Sequence, residues 1–236
     1  DAMVPWWSFT KTVLSAAALS LVRDGMVRLM TQRLDAARLR YTPGVDWRYS
    51  NVGYLYVARL IERLTGLALE EALMQQALVP LGLSRVRAAR TRADLDGVRT
   101  GAASTYDPRW VYHGLLVGPL SEAALFLDLL MAGHLLPEAL MQEMQTARAL
   151  GGPIPGRPWA SPGYALGLMQ GAVDTGLTLC GHTGAGPGSV VAVYRSVHGS
   201  DTATCAVFRE GSDEGFVEAE VISRLSAALR FQKNNG

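Results

Sequence analysis

The sequence predicts an α+β fold in which a mainly helical part is followed by an antiparallel sheet. Apolar residues recur at helical spacing through much of the chain before residue 150. Beyond residue 163 the pattern changes to short β-rich runs separated by turn residues, which is typical of consecutive antiparallel strands. At 236 residues the chain suits a single domain, and we expect a helical lobe over roughly 8–150 and a sheet lobe over roughly 160–236.

Five helices are predicted before the sheet, at 9–23, 52–64, 67–78, 121–131 and 137–147. The first contains no Pro or Gly, and its first turn would hold Ser8 and Lys11. The second ends at Gly66, a residue type that commonly closes helices. Ser121 can cap the fourth helix, and the mixed, polar stretch 84–114 is predicted to be a loop.

Four strands are predicted in the last third, from the runs YALGLMQ, LTLCGHTG, SVVAVYR and TATCAVFR. The segment 151–163 before them contains four prolines and four glycines, so it is expected to be a long loop that joins the two lobes. A last amphipathic helix at 217–231 would pack on the sheet.

Composition excludes several classes of partner. The net charge is +1 and the basic residues are scattered among 21 acidic ones, so no nucleic-acid partner is expected. Charged residues and prolines interrupt the apolar runs before they reach the ~18 residues that a membrane span needs. The first residues, DAMVPWW, contain no export signal, and the cellular compartment stays open.

Ser8 and Lys11 form the first candidate site. Residues three apart on a helix share a face, so the Lys11 amine can reach the Ser8 hydroxyl. Serine also starts many helices without any chemical role, which is the ordinary alternative. The chain has only two lysines, Lys11 and Lys233, although it has 22 basic residues. Because burial can neutralise a lysine but not an arginine, the one internal lysine is predicted to act as a base for Ser8.

The second and third candidate sites are the segments YSN and HTG. Tyr49 and Asn51 precede the second helix, where Asn51 is either the N-cap or part of a polar cluster that faces Ser8. His182 starts HTGAGPG, a glycine-rich segment that leads into a strand, whereas a dinucleotide-binding loop leads into a helix. Alone, His182 is more often a structural histidine, and no histidine pair has the spacing of a metal site.

Together, Ser-x-x-Lys, Tyr-x-Asn and His-Thr-Gly in this order resemble the serine β-lactamase and penicillin-binding protein superfamily. The Tyr-Ser-Asn form is similar to its class C-like branch, which includes esterases and D-alanyl-D-alanine carboxypeptidases. The segments PLGL and SEAALFLDLLMAG also occur in the order that is usual in the superfamily. The resemblance implies a β-lactamase-like fold with an antiparallel sheet flanked by helices, a mainly helical lobe, and an active site in the cleft between them.

The resemblance also implies roles for individual residues. Ser8 would be the acylated nucleophile, Lys11 and Tyr49 the proton-transfer pair, and Asn51 a positioning group. The backbone N–H groups of Ser8 and Ala185 would form the oxyanion hole, where each such donor is typically worth about 3–4 kcal/mol in the transition state.

Three further residues, His182, Thr183 and Gly184, would line the opposite wall as substrate-binding groups. No metal or organic cofactor is implied. The expected partner is a small-molecule ester, amide, D-amino-acid peptide or β-lactam. Because His182 replaces the more usual lysine, an esterase or D-amino-acid peptidase is favoured over an efficient β-lactam hydrolase.

Two alternatives remain open. The same scaffold could serve as a non-enzymatic module that binds or senses penicillin or peptidoglycan-like ligands, although the presence of both Lys11 and Tyr49 argues against this. The three motifs could also be coincidental in an unrelated α+β protein.

The spacing of the motifs is shorter than is usual in the superfamily. Tyr49 follows Ser8 by 41 residues, and only seven residues precede Ser8. Those seven are too few for the two leading strands of the relatives, since strands average about 5–6 residues. We therefore expect that a segment between Met26 and Gln32, and strands before Asp1, are absent from this sequence; a naturally reduced member is the alternative.

Overall fold

The structure is a computed structural model that describes residues 1–26, 48–101 and 106–233. The predicted omission after Met26 lies outside the described residues. The helices are α1 (Thr10–Arg23), α2 (Asn51–Thr65), α3 (Leu69–Leu73), α4 (Leu120–Met131), α5 (Glu138–Gln145) and α6 (Glu214–Lys233). The strands are β1 (Met3–Pro5), β2 (Arg87–Ala89), β3 (Leu115–Pro119), β4 (Arg148–Ala149), β5 (Trp159–Tyr164), β6 (Met169–Val173), β7 (Thr178–Gly186), β8 (Ser189–His198) and β9 (Asp201–Glu210).

Six strands form one antiparallel sheet in the order β4-β5-β6-β7-β8-β9, which confirms the predicted α+β class. Strand β8 is buried on both faces: Val191 and Val193 join the core that contains α1 and α4, whereas Val190 and Tyr194 join the core beneath α6. Alternate residues of a strand point to opposite faces. This arrangement explains why SVVAVYR is apolar almost throughout rather than alternating.

A second, three-stranded sheet has the order β1-β3-β2. Its strand Arg87–Ala89 lies in the stretch 84–114 that was expected to be loop, so that prediction is wrong at this strand. The strand has only three residues and no alternating pattern, and pairing with β3 places it, with Ala88 opposite Leu116. Pairing between distant segments of this kind leaves little trace in the local sequence.

The start of the large sheet also differs from prediction. YALGLMQ is not one strand, because Tyr164 ends β5 and Met169 begins β6. Between them the Ala165 N–H donates to the Leu168 carbonyl at 2.8 Å, and Gly167 has φ of 72°, a left-handed value that closes the turn. The predicted loop 151–163 is likewise too long, since β5 already begins at Trp159.

Several helices begin or end differently from prediction. Ser50, not Asn51, is the N-cap of α2, and its hydroxyl accepts a hydrogen bond from the Gly53 N–H at 3.0 Å. Helix α4 begins after Pro119, and the hydroxyl of Ser121 bonds to Asp1 instead of capping the helix. The third helix is shorter than predicted, because a π-helical turn, Met74–Leu78, follows α3.

Helix α1 lies at the centre of the larger core, and most of its residues are buried. Its Lys11 is fully buried, with 0% of its surface exposed. The fold places the first candidate site at the junction of α1 and the large sheet.

Among the described residues, no helix combines the length and the apolar character that crossing a membrane requires.

Candidate active site

Ser8 lies in a tight 3-10 turn, Trp7–Phe9, directly before α1. Trp7 has φ of 40°, the one positive value among the described residues other than glycine. A non-glycine residue in this region typically costs on the order of 1–3 kcal/mol and persists where its surroundings hold it. Here the indole N–H of Trp7 donates to the Ser189 hydroxyl at 3.1 Å. Because of this turn, Ser8 lies just before the first residue of α1 and remains next to Lys11.

Lys11 meets Ser8 as the sequence predicts, with Nζ 2.8 Å from Oγ. Burial lowers the pKa of Lys11 to about 7, because the interior disfavours its charged form. The rings of Tyr49 and Tyr54 lie beside the amine, with their centroids 5.1 and 5.6 Å from Nζ. A large fraction of this amine is therefore uncharged at neutral pH and able to accept a proton.

Tyr49 reaches the same oxygen from the other side, and its phenol donates to Ser8 Oγ at 3.1 Å. Burial raises the pKa of Tyr49 to about 12, although the hydrogen bond with Ser8 opposes the shift. Its ring packs edge-on against Tyr164 at 5.5 Å between centroids. Tyr49 therefore stays a protonated phenol at neutral pH and can donate a proton.

His113 is a residue at this site that sequence reasoning missed. Its Nε2 lies 2.7 Å from Lys11 Nζ, and its side chain is buried. Burial, and to a lesser extent the charge of Lys11, lowers the pKa of His113 to about 3, so the imidazole is neutral. A neutral imidazole can accept a hydrogen bond from the amine through Nε2. No local sequence signal at position 113 indicates this contact, because His113 and Lys11 are 102 residues apart.

The wall opposite α1 is strand β7, which approaches the backbone of Ser8 very closely. A Cβ atom at Gly184 would lie 2.6 Å from the Ser8 nitrogen, so only glycine fits. Ala185 follows on the same strand and lines the cavities on both sides of Ser8. The structure thus brings together the two residues expected to supply the oxyanion hole.

His182 is buried in β7, with 2% of its surface exposed. Its Nδ1 lies 2.7 Å from the Thr183 carbonyl and therefore carries the proton, so Nε2 accepts from the Tyr164 hydroxyl at 2.9 Å. Burial lowers the pKa of His182 to about 3. Both nitrogens bond within the protein, and the ring carries no charge that could attract a substrate carboxylate.

The Thr183 side chain is hydrogen-bonded to an ionic network of Glu218, Arg157 and Glu214, which the sequence did not predict. Its hydroxyl donates to Glu218 of α6 at 2.5 Å, and Arg157 donates to the same carboxylate through Nε at 2.8 Å. A second guanidinium nitrogen of Arg157 lies 2.9 Å from Glu214. Burial alone would lower the pKa of Arg157, but the two carboxylates raise it above its usual value.

Two cavities meet at Ser8, Asn51 and Ala185. The first, called the glutamate-side cavity, has a volume of about 370 Å³ and is also lined by Tyr49, Ile154, Tyr164, Met169, Arg157 and Glu214. The second, the tryptophan-side cavity, has a volume of about 160 Å³ and is also lined by Trp7, Tyr106, Trp110, Tyr112 and His113. Asn51 lines both cavities. A larger groove of about 540 Å³, beside Arg195, contains none of the predicted site residues.

Comparisons with known proteins agree with this architecture. The sequence pattern of the family described as Beta-lactamase matches residues 26–207, a range that begins after Ser8 and Lys11. A D-amino acid amidase from Ochrobactrum anthropi SV3, solved with L-phenylalanine amide, superposes with a TM-score of 0.74 at 18% identity, covering 99% of this chain and 85% of that one. A D-stereospecific amidohydrolase from Streptomyces sp. gives 0.72 at 19% identity, with 95% and 86% covered.

A third solved structure, the octameric penicillin-binding protein homologue from Pyrococcus abyssi, gives a TM-score of 0.72 at 16% identity, covering 99% of this chain and 66% of that one. At these identities the superpositions show a shared fold. Together with the matching pattern, they confirm the superfamily that the three motifs resemble.

Proposed function

Because the chain belongs to the Beta-lactamase family, we propose that it is a serine hydrolase that cleaves an ester or amide through an acyl-Ser8 intermediate. The observation that carries the proposal is the convergence on one oxygen, Ser8 Oγ, of the Lys11 amine at 2.8 Å and the Tyr49 phenol at 3.1 Å. A nucleophile within hydrogen-bond reach of a base is the arrangement that covalent catalysis requires.

In the acylation step, uncharged Lys11 accepts the proton of Ser8 as Oγ forms a bond to the substrate carbonyl carbon. The carbonyl oxygen becomes an oxyanion, and the N–H groups of Ser8 and Ala185 are proposed to stabilise it. The close packing of Gly184 against the Ser8 amide supports this role, since it fixes the distance between the two donors.

Collapse of the intermediate breaks the bond to the leaving group, which takes a proton from Tyr49. The ammonium of Lys11 returns a proton to Tyr49, so the pair is restored. Water then attacks the acyl carbon, with the same pair moving the protons, and releases the acid. The values near 7 for the pKa of Lys11 and near 12 for that of Tyr49 support the division into base and proton donor at neutral pH.

Esterase and D-amino-acid peptidase or amidase activities rank ahead of β-lactam hydrolysis. The neutral, fully bonded His182 supports this order, because β-lactams present a carboxylate that an uncharged imidazole does not attract. The fold shared with a D-amino acid amidase is consistent with an amide substrate.

The test is intact-mass spectrometry after incubation with a fluorophosphonate, an ester or penicillin, with Ser8→Ala as the control. An adduct in the native chain that is absent from Ser8→Ala, followed by release of the acyl group, supports the hydrolase. An ester or penicillin adduct that forms but is not released indicates the binding or sensing alternative. Equal labelling of both chains, or none in either, overturns the proposal.

A further inference from the structure

The glutamate-side cavity contains a carboxylate that the proposed reaction does not use. Glu214, the first residue of α6, lines the same cavity as Ser8 and Tyr49. Its charge is also a minor contributor to the raised pKa of Tyr49, after burial. About 36% of its side chain is exposed. A partly exposed carboxylate in this position can contact a bound ligand.

The neighbouring arginine does not cancel this negative charge, because Arg157 is shared between two carboxylates. It contacts Glu218 through Nε at 2.8 Å and Glu214 through a terminal nitrogen at 2.9 Å. Glu218 is fully buried, and its oxygens also accept bonds from Thr183 and Trp159. One guanidinium against two carboxylates leaves this group of three with a net charge of −1.

The other polar groups in or beside the cavity, as far as the described residues show, add no fixed positive charge. His182 is neutral, since burial lowers its pKa to about 3. Lys11 has a pKa of about 7 and must be uncharged to act as the base. Among the described residues that line this cavity, a substrate carboxylate would find no unpaired cation, whereas a substrate ammonium would find the Glu214 carboxylate.

Part of the lining is apolar and suits the carbon skeleton of such a substrate. Leu150, Ile154 and Met169 line this cavity together with the ring of Tyr164. Burying apolar groups against these side chains is favourable, while the charged end of the ligand stays beside the carboxylate.

We propose that Glu214 forms a subsite for an ammonium group, so that the preferred substrates are esters or amides with a free amine on the part that occupies the glutamate-side cavity. The inference rests on the proposed acyl-Ser8 chemistry and adds the charge class of the substrate. Amino-acid amides with an unblocked amine belong to this class, and substrates with an anionic group at the same place do not.

The test compares three p-nitroanilides of alanine at pH 7, in D and L forms: one with a free amine, one N-acetylated and one N-succinylated. Only the first carries a positive charge, since α-amino groups titrate near pH 7.7–8.0. We expect the native enzyme to prefer the free amine in kcat/KM. Glu214→Gln should reduce the ratio of free-amine to acetylated turnover by about tenfold, which corresponds to roughly 1.4 kcal/mol.

Glu220→Gln is the matched control, because Glu220 lies on the same helix but pairs on the surface with Arg209 and Arg224. It should leave the ratio unchanged. A preference for the acetylated or succinylated compound, or an equal ratio in native chain and Glu214→Gln, overturns the ammonium subsite.

Fluorophosphonate labelling of Ser8 is measured on the same samples to separate the two proposals. Labelling without an ammonium preference rejects the subsite and leaves the hydrolase standing. Absence of both labelling and turnover rejects the hydrolase, and the subsite with it.

Discussion

The amine of Lys11 lies between two partners, 2.8 Å from Ser8 Oγ and 2.7 Å from His113 Nε2. A neutral amine has two N–H groups and one lone pair. If one N–H donates to His113, the lone pair is free to turn toward Ser8, which is the orientation that a base needs. His113 is therefore placed to orient Lys11.

Lys11→Arg should abolish acylation. Arginine keeps the positive charge but is not deprotonated in proteins, so the proton of Ser8 loses its acceptor. We expect the rate of ester turnover and of fluorophosphonate labelling to fall by roughly 10²–10⁴-fold, the range for loss of a general base. Circular dichroism checks that the variant is folded. A folded Lys11→Arg that labels at the native rate would show that Lys11 is not the base.

His113→Leu should lower the maximum kcat/KM and shift the acid limb of its pH profile to lower pH. In the described part of the chain, the titratable groups around Lys11 are Tyr49, Tyr54, His113 and His182, all uncharged at neutral pH. A hydrogen bond to His113 favours the ammonium form of Lys11, because a charged donor bonds more strongly. Removing it lowers the pKa of Lys11 below about 7, and the lone pair loses its orientation.

The measurement is kcat/KM between pH 5 and 9 for the native chain, His113→Leu and His113→Gln. The glutamine variant retains an acceptor oxygen. It should therefore restore part of the maximum kcat/KM and shift the acid limb of the pH profile part of the way back. If the maximum kcat/KM falls in both variants but the acid limb of the pH profile does not move, His113 contributes only to packing.

Lys11→Met should stabilise the protein at pH 7 while removing its activity. The pKa of Lys11 is lowered from 10.5 to about 7, so between these values the unfolded chain binds more protons than the folded one. Native stability therefore rises with pH across this window. The variant lacks this dependence and should be more stable at pH 7 by on the order of 1–4 kcal/mol.

Urea unfolding at pH 7, 8.5 and 10 measures the effect, and Lys233→Met is the matched control. The stability gap between native chain and Lys11→Met should narrow as the pH rises. A gap that is constant or widens with pH would contradict the buried, weakly basic lysine.

Gly184→Ala should impair acylation more than its small size suggests. The new Cβ would lie 2.6 Å from the Ser8 nitrogen, so strand β7 or the Trp7–Phe9 turn must move. Overpacking of this kind typically costs about 1–3 kcal/mol of stability and would displace the Ser8 amide from the oxyanion position. We expect labelling to slow by about tenfold or more.

Gly152→Ala is the control, since nothing lies within 4 Å of its added methyl group. It should change the free energy of unfolding by no more than about 0.5 kcal/mol and leave labelling unaffected. If both variants are labelled at the native rate, β7 does not form part of the proposed oxyanion hole.

What the sequence could predict depended on how local each contact is. Ser8 and Lys11 are three residues apart, so helical geometry alone predicts their contact. Tyr49 and Gly184 came from the order of the motifs, because no local rule connects residues so far apart. His113 and Glu218 were missed, since each contacts the site only through the tertiary fold. The strand at Arg87–Ala89 was missed for the same reason, because β3 supplies its pairing.

The burial of β8 on both faces also has a consequence for strand alignment. A shift by one residue would exchange its two sets of apolar side chains, yet each core would still receive aliphatic groups, so hydrophobicity discriminates poorly between the two alignments. Polar contacts of β8 therefore help to select the correct alignment. Among them are the hydrogen bond from the Trp7 indole to Ser189 and the ion pair of Arg195 with Asp128 at 2.8 Å. The hydrogen bond that holds the Trp7–Phe9 turn is thus one of the contacts that fix the alignment of β8, so correct strand alignment and correct placement of Ser8 are reached together.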